Sequence, residues 1–180
     1  AIINSDGSLA QPPISLAEVQ GYLYLAKRSI AELYGRAGDL NRANELREEA
    51  RELRKQFDHD FWLNDRNYYA LALQADNRPA TVIASNAGQA LWTGIVAPEK
   101  GRSVVERLMS DEMFSGWGIR TLSERERRYN PIGYHTGTVW PHDNALIAAG
   151  FRRYGFDHEA CGVFMAILEA ARHFEHRRLP

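Results

Sequence analysis

Hydrophobic residues recur at helical spacing along most of the chain, and this pattern predicts six helices of two alternating kinds. A helix that is apolar on all sides is buried on two faces, whereas a helix with one apolar stripe faces water. The first kind is predicted at about residues 15–34, 86–94 and 141–151. The second kind is predicted at 39–61, 98–110 and, with a more mixed pattern, 157–174.

This alternation predicts three antiparallel helical hairpins, each with an inner and an outer helix, because the turns between paired helices are short. Between the first two hairpins, residues 68–73 and 79–83 flank the turn-like sequence Ala75-Asp76-Asn77-Arg78, which is typical of a small β-hairpin. Residues 113–133 have no helical period, and loops of that length inside compact domains are usually functional. The predicted fold class is all-α with a small β-hairpin insertion.

The polar residues of the inner helices all lie at one end. Inner helices of successive hairpins run in the same direction, so their first turns share one rim. Glu18 lies in the first turn of the first inner helix, Asn86 and Gln89 in that of the second, and His142-Asp143-Asn144 in that of the third. We therefore expect a pocket to open at this rim.

Residues 134–144, Tyr-His-Thr-Gly-Thr-Val-Trp-Pro-His-Asp-Asn, carry the most chemistry in the chain. They bring imidazole, carboxylate, amide and hydroxyl groups beside an indole, a set that suits a sugar. Asp143 has an alternative role in balancing the helix dipole, which favours acids in a first turn. The spacing of His135 and His142 is not that of a zinc site, and no Gly-x-Ser-x-Gly elbow is present.

Two further groups are candidates for sugar binding. Glu18 and Gln20 can bond sugar hydroxyls, although Glu18 also fits a capping box that begins at Ser15. Trp117, between two glycines, can stack on a sugar ring while Arg120 reaches oxygen atoms. The alternative for Trp117 is a core position beside a tight turn.

Composition narrows the partners and the compartment. The chain has 180 residues, of which 44% are hydrophobic and 25% charged, and a net charge of −1. These values favour a single domain over residues 1–180 and no affinity for nucleic acid or an anionic membrane. The single cysteine, Cys161, excludes an internal disulfide framework and fits a reducing compartment, so we expect a cytoplasmic protein. Cys161 itself lies in an apolar helical stretch and is expected in the core. No metal-ligand spacing and no cofactor motif is present, so neither is expected.

Three ordered motifs resemble one family of enzymes. They are Glu18-Val19-Gln20-Gly21-Tyr22, the run from Gly118 to Ser123, and the run from Tyr134 to Pro141. Together they closely resemble the C-terminal glucosidase region of glycogen debranching enzymes (amylo-α-1,6-glucosidases). The run Trp140-Pro141-His142-Asp143-Asn144 is more similar to the bacterial debranching-like and mannosylglycerate-hydrolase-like relatives.

The resemblance implies a partial (α/α)6 toroid of about three hairpins and an inverting glycosidase that hydrolyses α-glucosidic bonds with two carboxylates. In these relatives the acid precedes the segment that matches residues 1–10, and the base follows the last outer helix. We therefore expect the chain to be an internal fragment with both catalytic carboxylates outside it, and to be inactive alone. The expected partners are an oligosaccharide or small glycoside, the rest of the parent polypeptide and, through exposed apolar helices, a second copy of the fragment.

Residues and resemblance together give one set of candidate substrate-binding residues. The set is Glu18, Gln20, Trp92, Trp117, Arg120, Tyr134, His135, Gly137, Trp140, His142 and Asp143. Two rival functions stay open. The first is a non-catalytic helical scaffold, against which the chain shows no 34-residue repeat. The second is a toroid enzyme of another carbohydrate chemistry, such as a phosphorylase, epimerase or lyase, because a fold does not fix function.

Overall fold

The computed structural model describes residues 2–179, and over that range it contains the six predicted helices. They are α1 (Ala17–Ala37), α2 (Leu40–Phe61), α3 (Asn86–Thr93), α4 (Pro98–Leu108), α5 (Pro141–Arg153) and α6 (Asp157–Arg172). Five short strands accompany them: β1 (Ser15–Leu16), β2 (Trp62–Leu63), β3 (Tyr68–Tyr69), β4 (Ala72–Leu73) and β5 (Pro79–Ala80). A 3-10 turn, Glu175–Arg177, follows α6.

Local sequence explains most of the helix ends. Gly38, with φ +91°, ends α1, and the Asp39 side chain then accepts from the Arg42 amide at 3.0 Å to begin α2. Pro98 and Pro141 open α4 and α5, where the missing N–H costs nothing. The capping box at Ser15 is absent, because Ser15 lies in β1 and its hydroxyl accepts from the Gln20 amide at 2.9 Å. Glu18 is thus not engaged in capping α1.

The helices form the predicted three hairpins in two layers. The inner layer is α1, α3 and α5 in that order, and α1 also packs on α2, α3 on α4, and α5 on α6. The contact between α3 and α5 is close because glycines face it. A Cβ on Gly150 would lie 2.6 Å from the Trp92 amide nitrogen, and one on Gly88 would lie 2.6 Å from Ile147. These glycines set the spacing of the two helices that carry most of the site.

Two helices expose an apolar face. On α1, the side chains of Val19, Leu23, Ile30 and Leu33 are exposed, which corrects the prediction that this helix is covered on two sides. The reason is that α1 stands at the edge of the inner layer. On α6, Phe164, Met165 and Leu168 are exposed.

Cys161, which was expected in the core, is also exposed. The residues of α6 that are buried are Ala160, Val163, Ala166 and Ala171. Cys161 follows Ala160 and is therefore turned by about 100° away from that stripe, onto the face of Met165 and Leu168. The apolar character of its neighbours thus predicted burial on the wrong face.

The strands fix where α1 begins. Strands β1, β4 and β5 form an antiparallel sheet in the order β1-β4-β5, with Ser15 opposite Leu73 and Ala72 opposite Ala80. Strands β4 and β5 are the predicted hairpin, and β2 pairs with β3 separately. Because β1 runs directly into α1, the sheet holds the first turn of α1 close to α3. Over residues 2–179, no helix is long and apolar enough to cross a membrane.

Candidate functional site

A cleft of about 440 Å³ opens where the first turns of α1, α3 and α5 meet, which is the rim where the sequence predicts a pocket. The inner helices provide most of its polar side chains, and Ser85, just before α3, provides another. The long loop before α5 adds Thr121, Leu122, His135 and Trp140. Apolar residues, including Ile2, Ile3, Leu71 and Ala84, complete the lining. The 113–133 loop, expected to be functional, therefore contributes directly to the cleft.

Asp143 is the centre of a hydrogen-bonded network inside the cleft. Its Oδ2 accepts from the Ser85 hydroxyl at 2.6 Å, and its Oδ1 accepts from Gln89 Nε2 at 2.7 Å. The other end of the Gln89 amide, Oε1, accepts from the Tyr22 hydroxyl. Asp143 is only 4% exposed, and its position in the first turn of α5 places it beside the positive end of the helix dipole. The network therefore compensates a buried carboxylate and ties α5 to α3 and α1.

Glu18 forms the second polar contact between helices. Its Oε2 accepts from the Asn86 side-chain amide, which joins the first turn of α1 to that of α3. Burial raises the pKa of Glu18 above its usual value of 4.5, and the charge of Asp143 raises it further. The Asn86 hydrogen bond and the charge of His135 act in the opposite direction but do not cancel the rise. We call Glu18, Tyr22, Ser85, Asn86, Gln89 and Asp143 the cleft cluster.

The 134–140 loop gives the cleft an aromatic edge. The Trp140 ring lies nearly parallel to His135 at 5.8 Å and edge-on to His142 at 5.5 Å. Tyr134 meets Trp140 edge-on at 5.0 Å, and its carbonyl oxygen accepts from the indole N–H at 2.9 Å. Tyr134 is 71% exposed and does not line the cleft, so its contribution is to hold Trp140 in place.

Backbone contacts hold this loop against the one before it. Gly137 has φ +149°, and a Cβ there would lie 2.5 Å from the Tyr129 ring. Its amide donates to Thr121 Oγ1 at 3.0 Å, so Gly137 supports the cleft wall and does not line it. Asn144, which is fully buried, accepts from the Ile119 amide at 2.6 Å and donates to the Ile119 carbonyl at 3.0 Å. The start of α5 is thereby fixed to the 113–133 loop.

The structure brings five of the eleven candidate residues into the cleft lining: Glu18, His135, Trp140, His142 and Asp143. Tyr134 and Gly137 support that lining from behind. Four others lie elsewhere. Gln20 turns back to the Ser15 hydroxyl, and Trp92, in the last turn of α3, meets Tyr22 edge-on at 6.1 Å outside the cleft.

Trp117 and Arg120 are separated from the cleft by the course of their loop. Gly116 and Gly118, with φ of +87° and +142°, turn the chain so that Trp117 meets His173 edge-on at 5.2 Å, beside α6. Arg120 forms an isolated bridge with Val139, and it is the next residue, Thr121, that lines the cleft. The Arg120 side chain bonds the Asp111 carbonyl at 3.2 Å and pairs with Glu124.

Four residues of the cleft cluster were absent from the candidate set: Tyr22, Ser85, Asn86 and Gln89. Asn86 and Gln89 had a sequence signal, since they are polar positions in the first turn of an otherwise apolar helix. Tyr22 belongs to the motif that begins at Glu18 but lies inside an apolar segment, and Ser85 lies in a linker, so neither was singled out as a binding residue. Tyr22 is one turn beyond Glu18, and this spacing places both on the cleft side of α1.

The arrangement is suited to a polyhydroxylated ligand. The cleft lining offers carboxylate, amide, hydroxyl and imidazole groups together with an indole. Clefts of about 300–1,000 Å³ with a few convergent polar groups are typical of small-molecule sites. Across residues 2–179, no group of three or more His, Cys, Asp or Glu side chains could hold a metal ion.

Solved structures share this fold at low sequence identity. An uncharacterized conserved protein from Thermus thermophilus is 18% identical, with a TM-score of 0.75 over 89% of this chain and 39% of its own. The GH63 mannosylglycerate hydrolase of the same organism, solved with glucose, is 19% identical, with a TM-score of 0.73 over 88% and 37%. Neutral trehalase Nth1 from Saccharomyces cerevisiae is 16% identical, with a TM-score of 0.73 over 86% and 31%. The chain therefore spans less than two fifths of these structures.

The family comparison covers almost the whole chain. No curated protein sequence matches it. A family model described as the mannosylglycerate hydrolase MGH1-like glycoside hydrolase domain matches residues 10–178, a range that includes every helix and the whole cleft cluster. This match supports the mannosylglycerate-hydrolase side of the resemblance and does not confirm the debranching-enzyme side. The three hairpins, the cleft at their common rim and this match together show that the chain belongs to the MGH1-like family of glycoside hydrolase domains.

Proposed function

We propose that this chain forms the sugar-binding wall of an inverting (α/α)6 glycoside hydrolase that acts on a small α-glycoside. The observation that carries the proposal is the cleft cluster itself. Two carboxylates, Glu18 and Asp143, line one cleft of about 440 Å³ and are held there by two amides and one hydroxyl from a third segment, residues 85–89 at the start of α3. The accessible members of the cluster, among them the Glu18 carboxylate and the Tyr22 hydroxyl, suit binding of sugar hydroxyls, and the nearby Trp140 supplies an apolar edge for a ring face.

The proposed substrate is a sugar joined to a small partner, with an α-glucosidic bond as the preferred linkage. The cleft volume suits one sugar and a small aglycone better than a branched polymer. The names of the structural neighbours support the same choice. One is a mannosylglycerate hydrolase solved in complex with glucose and, separately, with Tris and D-glycerate, and another is a trehalase. Glycogen debranching is the less favoured variant of the proposal.

The two catalytic carboxylates are proposed to come from the rest of a longer polypeptide. Asp143 is a poor candidate for either role, because both of its oxygens accept hydrogen bonds and it is 4% exposed. Glu18 is assigned to binding, since its Oε2 is held by Asn86. The chain also spans only 31–39% of the three solved structures, which leaves room for the remaining hairpins of a toroid. Those hairpins are the proposed cover for the apolar faces of α1 and α6. The cytoplasmic location stays a prediction.

The test measures hydrolysis by the full-length protein on mannosylglycerate, trehalose and an α-1,6-branched glucan. We expect the small glycosides to be cleaved faster than the glucan and NMR to detect release of the inverted anomer. Release of a sugar phosphate in the presence of phosphate would instead support a phosphorylase. Appreciable activity of the 180-residue chain alone would show that the catalytic carboxylates lie inside it.

A pair of variants connects the cleft to this activity. Glu18→Gln removes a carboxylate that lines the cleft, whereas Glu32→Gln removes an exposed one further along the same helix. We expect the first to lower kcat/KM by about 10–100-fold, as loss of a charge-assisted contact does, and the second to leave it unchanged. Equal kcat/KM values for the two variants would contradict a role of Glu18 in substrate binding.

A further inference from the structure

The Gln89 amide joins Asp143 to Tyr22 in a way that fixes the direction of both hydrogen bonds. Its Nε2 donates to Asp143 Oδ1 at 2.7 Å, and its Oε1 accepts from the Tyr22 hydroxyl. An amide donates through nitrogen and accepts through oxygen, whereas a carboxylate only accepts. Asp143 therefore determines which end of the amide faces it. The oxygen end is left to face Tyr22.

The consequence appears at the cleft surface. A tyrosine hydroxyl has one proton, and in this arrangement Tyr22 donates it to Gln89. The lone pairs of the Tyr22 oxygen then remain for a ligand. Tyr22 is 40% exposed and lines the cleft, so a ligand can reach this oxygen. The second N–H proton of the Gln89 amide is not used in either of these two hydrogen bonds.

We propose that Asp143 is a positioning residue that sets Tyr22, through Gln89, as a hydrogen-bond acceptor, so that the cleft selects a sugar hydroxyl able to donate at that point. This inference rests on the proposed function, because it concerns how the same cleft chooses its ligand. Asp143 acts without touching the ligand. It is held in place by the Ser85 hydroxyl at 2.6 Å and is nearly inaccessible, at 4% exposure.

The first experiment uses Asp143→Asn, which keeps the shape and changes only the hydrogen-bond character. As long as the Ser85 hydroxyl keeps its role as donor, the oxygen of the introduced amide faces Ser85 and the amide nitrogen faces Gln89. Gln89 must then turn its own oxygen to that nitrogen and its nitrogen to Tyr22. The Tyr22 hydroxyl then accepts from Gln89 and turns its own proton toward the cleft, so Tyr22 becomes a hydrogen-bond donor to the ligand.

The readout is the affinity of the full-length protein for glucose and for its monodeoxy and monofluoro derivatives, measured by calorimetry. Fluorine can accept a hydrogen bond weakly but cannot donate one. At the hydroxyl that contacts Tyr22, we expect fluorine to weaken binding about tenfold in the unmodified protein, the cost of one unmade bond. In Asp143→Asn this fluorine penalty should largely disappear while the deoxy penalty persists. A uniform loss of affinity across all derivatives would show a merely structural role and overturn the inference.

A second variant reverses the change. In Asp143→Asn combined with Gln89→Glu, the new carboxylate accepts from the introduced amide on one side and from Tyr22 on the other. Tyr22 is thereby returned to its acceptor role. We expect the fluorine penalty to return in this double variant. If Asp143→Asn had only misfolded or loosened the cleft, a second substitution would not restore the penalty. A double variant that behaves like Asp143→Asn would overturn the inference.

Failure of the proposed function can be separated from failure of this inference. If the unmodified protein binds no glucose and cleaves no glycoside, the proposed function fails. The direction of the Gln89 amide is still read from its ¹⁵N side-chain NMR signal. The Gln89 Nε2 proton that is donated to the Asp143 carboxylate should resonate at low field in the unmodified protein. This low-field shift should be lost in Asp143→Asn. Side-chain signals that are unchanged by the substitution would contradict the fixed amide direction itself.

Discussion

Two clusters in this molecule each join a tyrosine hydroxyl to an aspartate or an amide, and they differ in how completely their members satisfy one another. The first is the cleft cluster. The second, which we call the outer cluster, comprises Phe57, Asp58, Trp62, Tyr69 and Lys100. In it, Tyr69 donates to Asp58 Oδ1 at 2.7 Å and Lys100 donates to the same oxygen at 2.8 Å. The Lys100 ammonium also lies 4.5 Å from the Trp62 ring centroid.

The difference is one of charge balance and of remaining hydrogen-bonding capacity. In the outer cluster one carboxylate meets one ammonium at 2.8 Å, and the ammonium lies over the Trp62 ring. In the cleft cluster two carboxylates share a cavity, and burial together with the charge of Asp143 raises the pKa of Glu18. A polar group that is left imperfectly compensated costs stability, and such groups persist where a ligand completes them. The outer cluster is thus expected to stabilise the fold, and the cleft cluster to bind.

The largest expected effect is on the outer cluster, through Phe57→Ala. Phe57 is 1% exposed and stacks on both Phe61 and Tyr69 with ring centroids at 4.9 Å. Removing the ring leaves a cavity, so the free energy of unfolding should fall by about 3–5 kcal/mol in urea titrations. Leu40→Ala is the control, because Leu40 is 61% exposed and its loss should cost under about 0.5 kcal/mol. Glucose affinity of the folded fraction should not change, and a change in ligand selectivity would break the proposed division between the clusters.

Next in size is Gly150→Ala, which acts on the spacing between the helices of the cleft cluster. The new methyl would meet the Trp92 amide nitrogen at 2.6 Å and the Gly88 carbonyl oxygen at 3.0 Å, and backbone atoms cannot rotate away. Separation of α3 from α5 should cost about 1–3 kcal/mol of stability and also weaken glucose binding, since Gln89 and Asp143 would move apart.

Gly162→Ala provides the matched control for that variant. At Gly162, also within a helix, a Cβ would meet only the end of Met109 at 3.7 Å. Alanine there should stabilise the helix by about 0.4–1 kcal/mol. Similar losses in the two variants would show that close packing of α3 and α5 is not what matters.

The same substitution in both clusters compares them directly. Tyr69 is 1% exposed, so Tyr69→Phe leaves the Asp58 carboxylate short of a buried donor and should cost about 1–3 kcal/mol. Tyr22 is 40% exposed, so water replaces its hydroxyl in Tyr22→Phe and the cost should be about 0.5 kcal/mol or less. Glucose binding should weaken only in Tyr22→Phe. Loss of binding in Tyr69→Phe at full folding would contradict the division.

The same contrast explains what the sequence could predict. Helical periodicity predicted all six helices, the three hairpins and the shared rim, because the apolar stripes of a helix report its own packing faces. The β4–β5 hairpin followed from its turn residues, Ala75 to Arg78. The capping box at Ser15 was wrong because β1 extends to Leu16 and tertiary pairing overrides a local motif.

Side-chain direction was the part that local pattern could not supply. Trp117 and Arg120 resemble sugar-binding residues in type, but the turns at Gly116 and Gly118 carry Trp117 to His173, and Arg120 contacts the Asp111 carbonyl and Glu124 outside the cleft lining. Tyr22 and Ser85 take part in the cleft through hydrogen bonds to residues that are distant in sequence, and a local pattern does not reveal such contacts. Even so, the first-turn positions of the inner helices were a sound guide, because parallel helices bring their first turns together.

The smallest expected effect concerns pH and Glu18. The folded-state pKa of Glu18 is raised above 4.5, chiefly by burial, so the folded protein holds this proton more tightly than the unfolded chain does. Stability should therefore fall as pH rises from about 4.5 through the raised pKa, and should level off above it. Glu18→Gln removes this dependence. Urea titrations from pH 4.5 to pH 7 should show the variant gaining stability relative to the unmodified protein across that window, whereas Glu32→Gln should follow the unmodified curve. If the Glu18→Gln and unmodified curves stay parallel, the Glu18 carboxylate is no less stable in the folded cleft than in the unfolded chain. Of the two cleft carboxylates, only Asp143 would then distinguish the cleft cluster from the outer cluster.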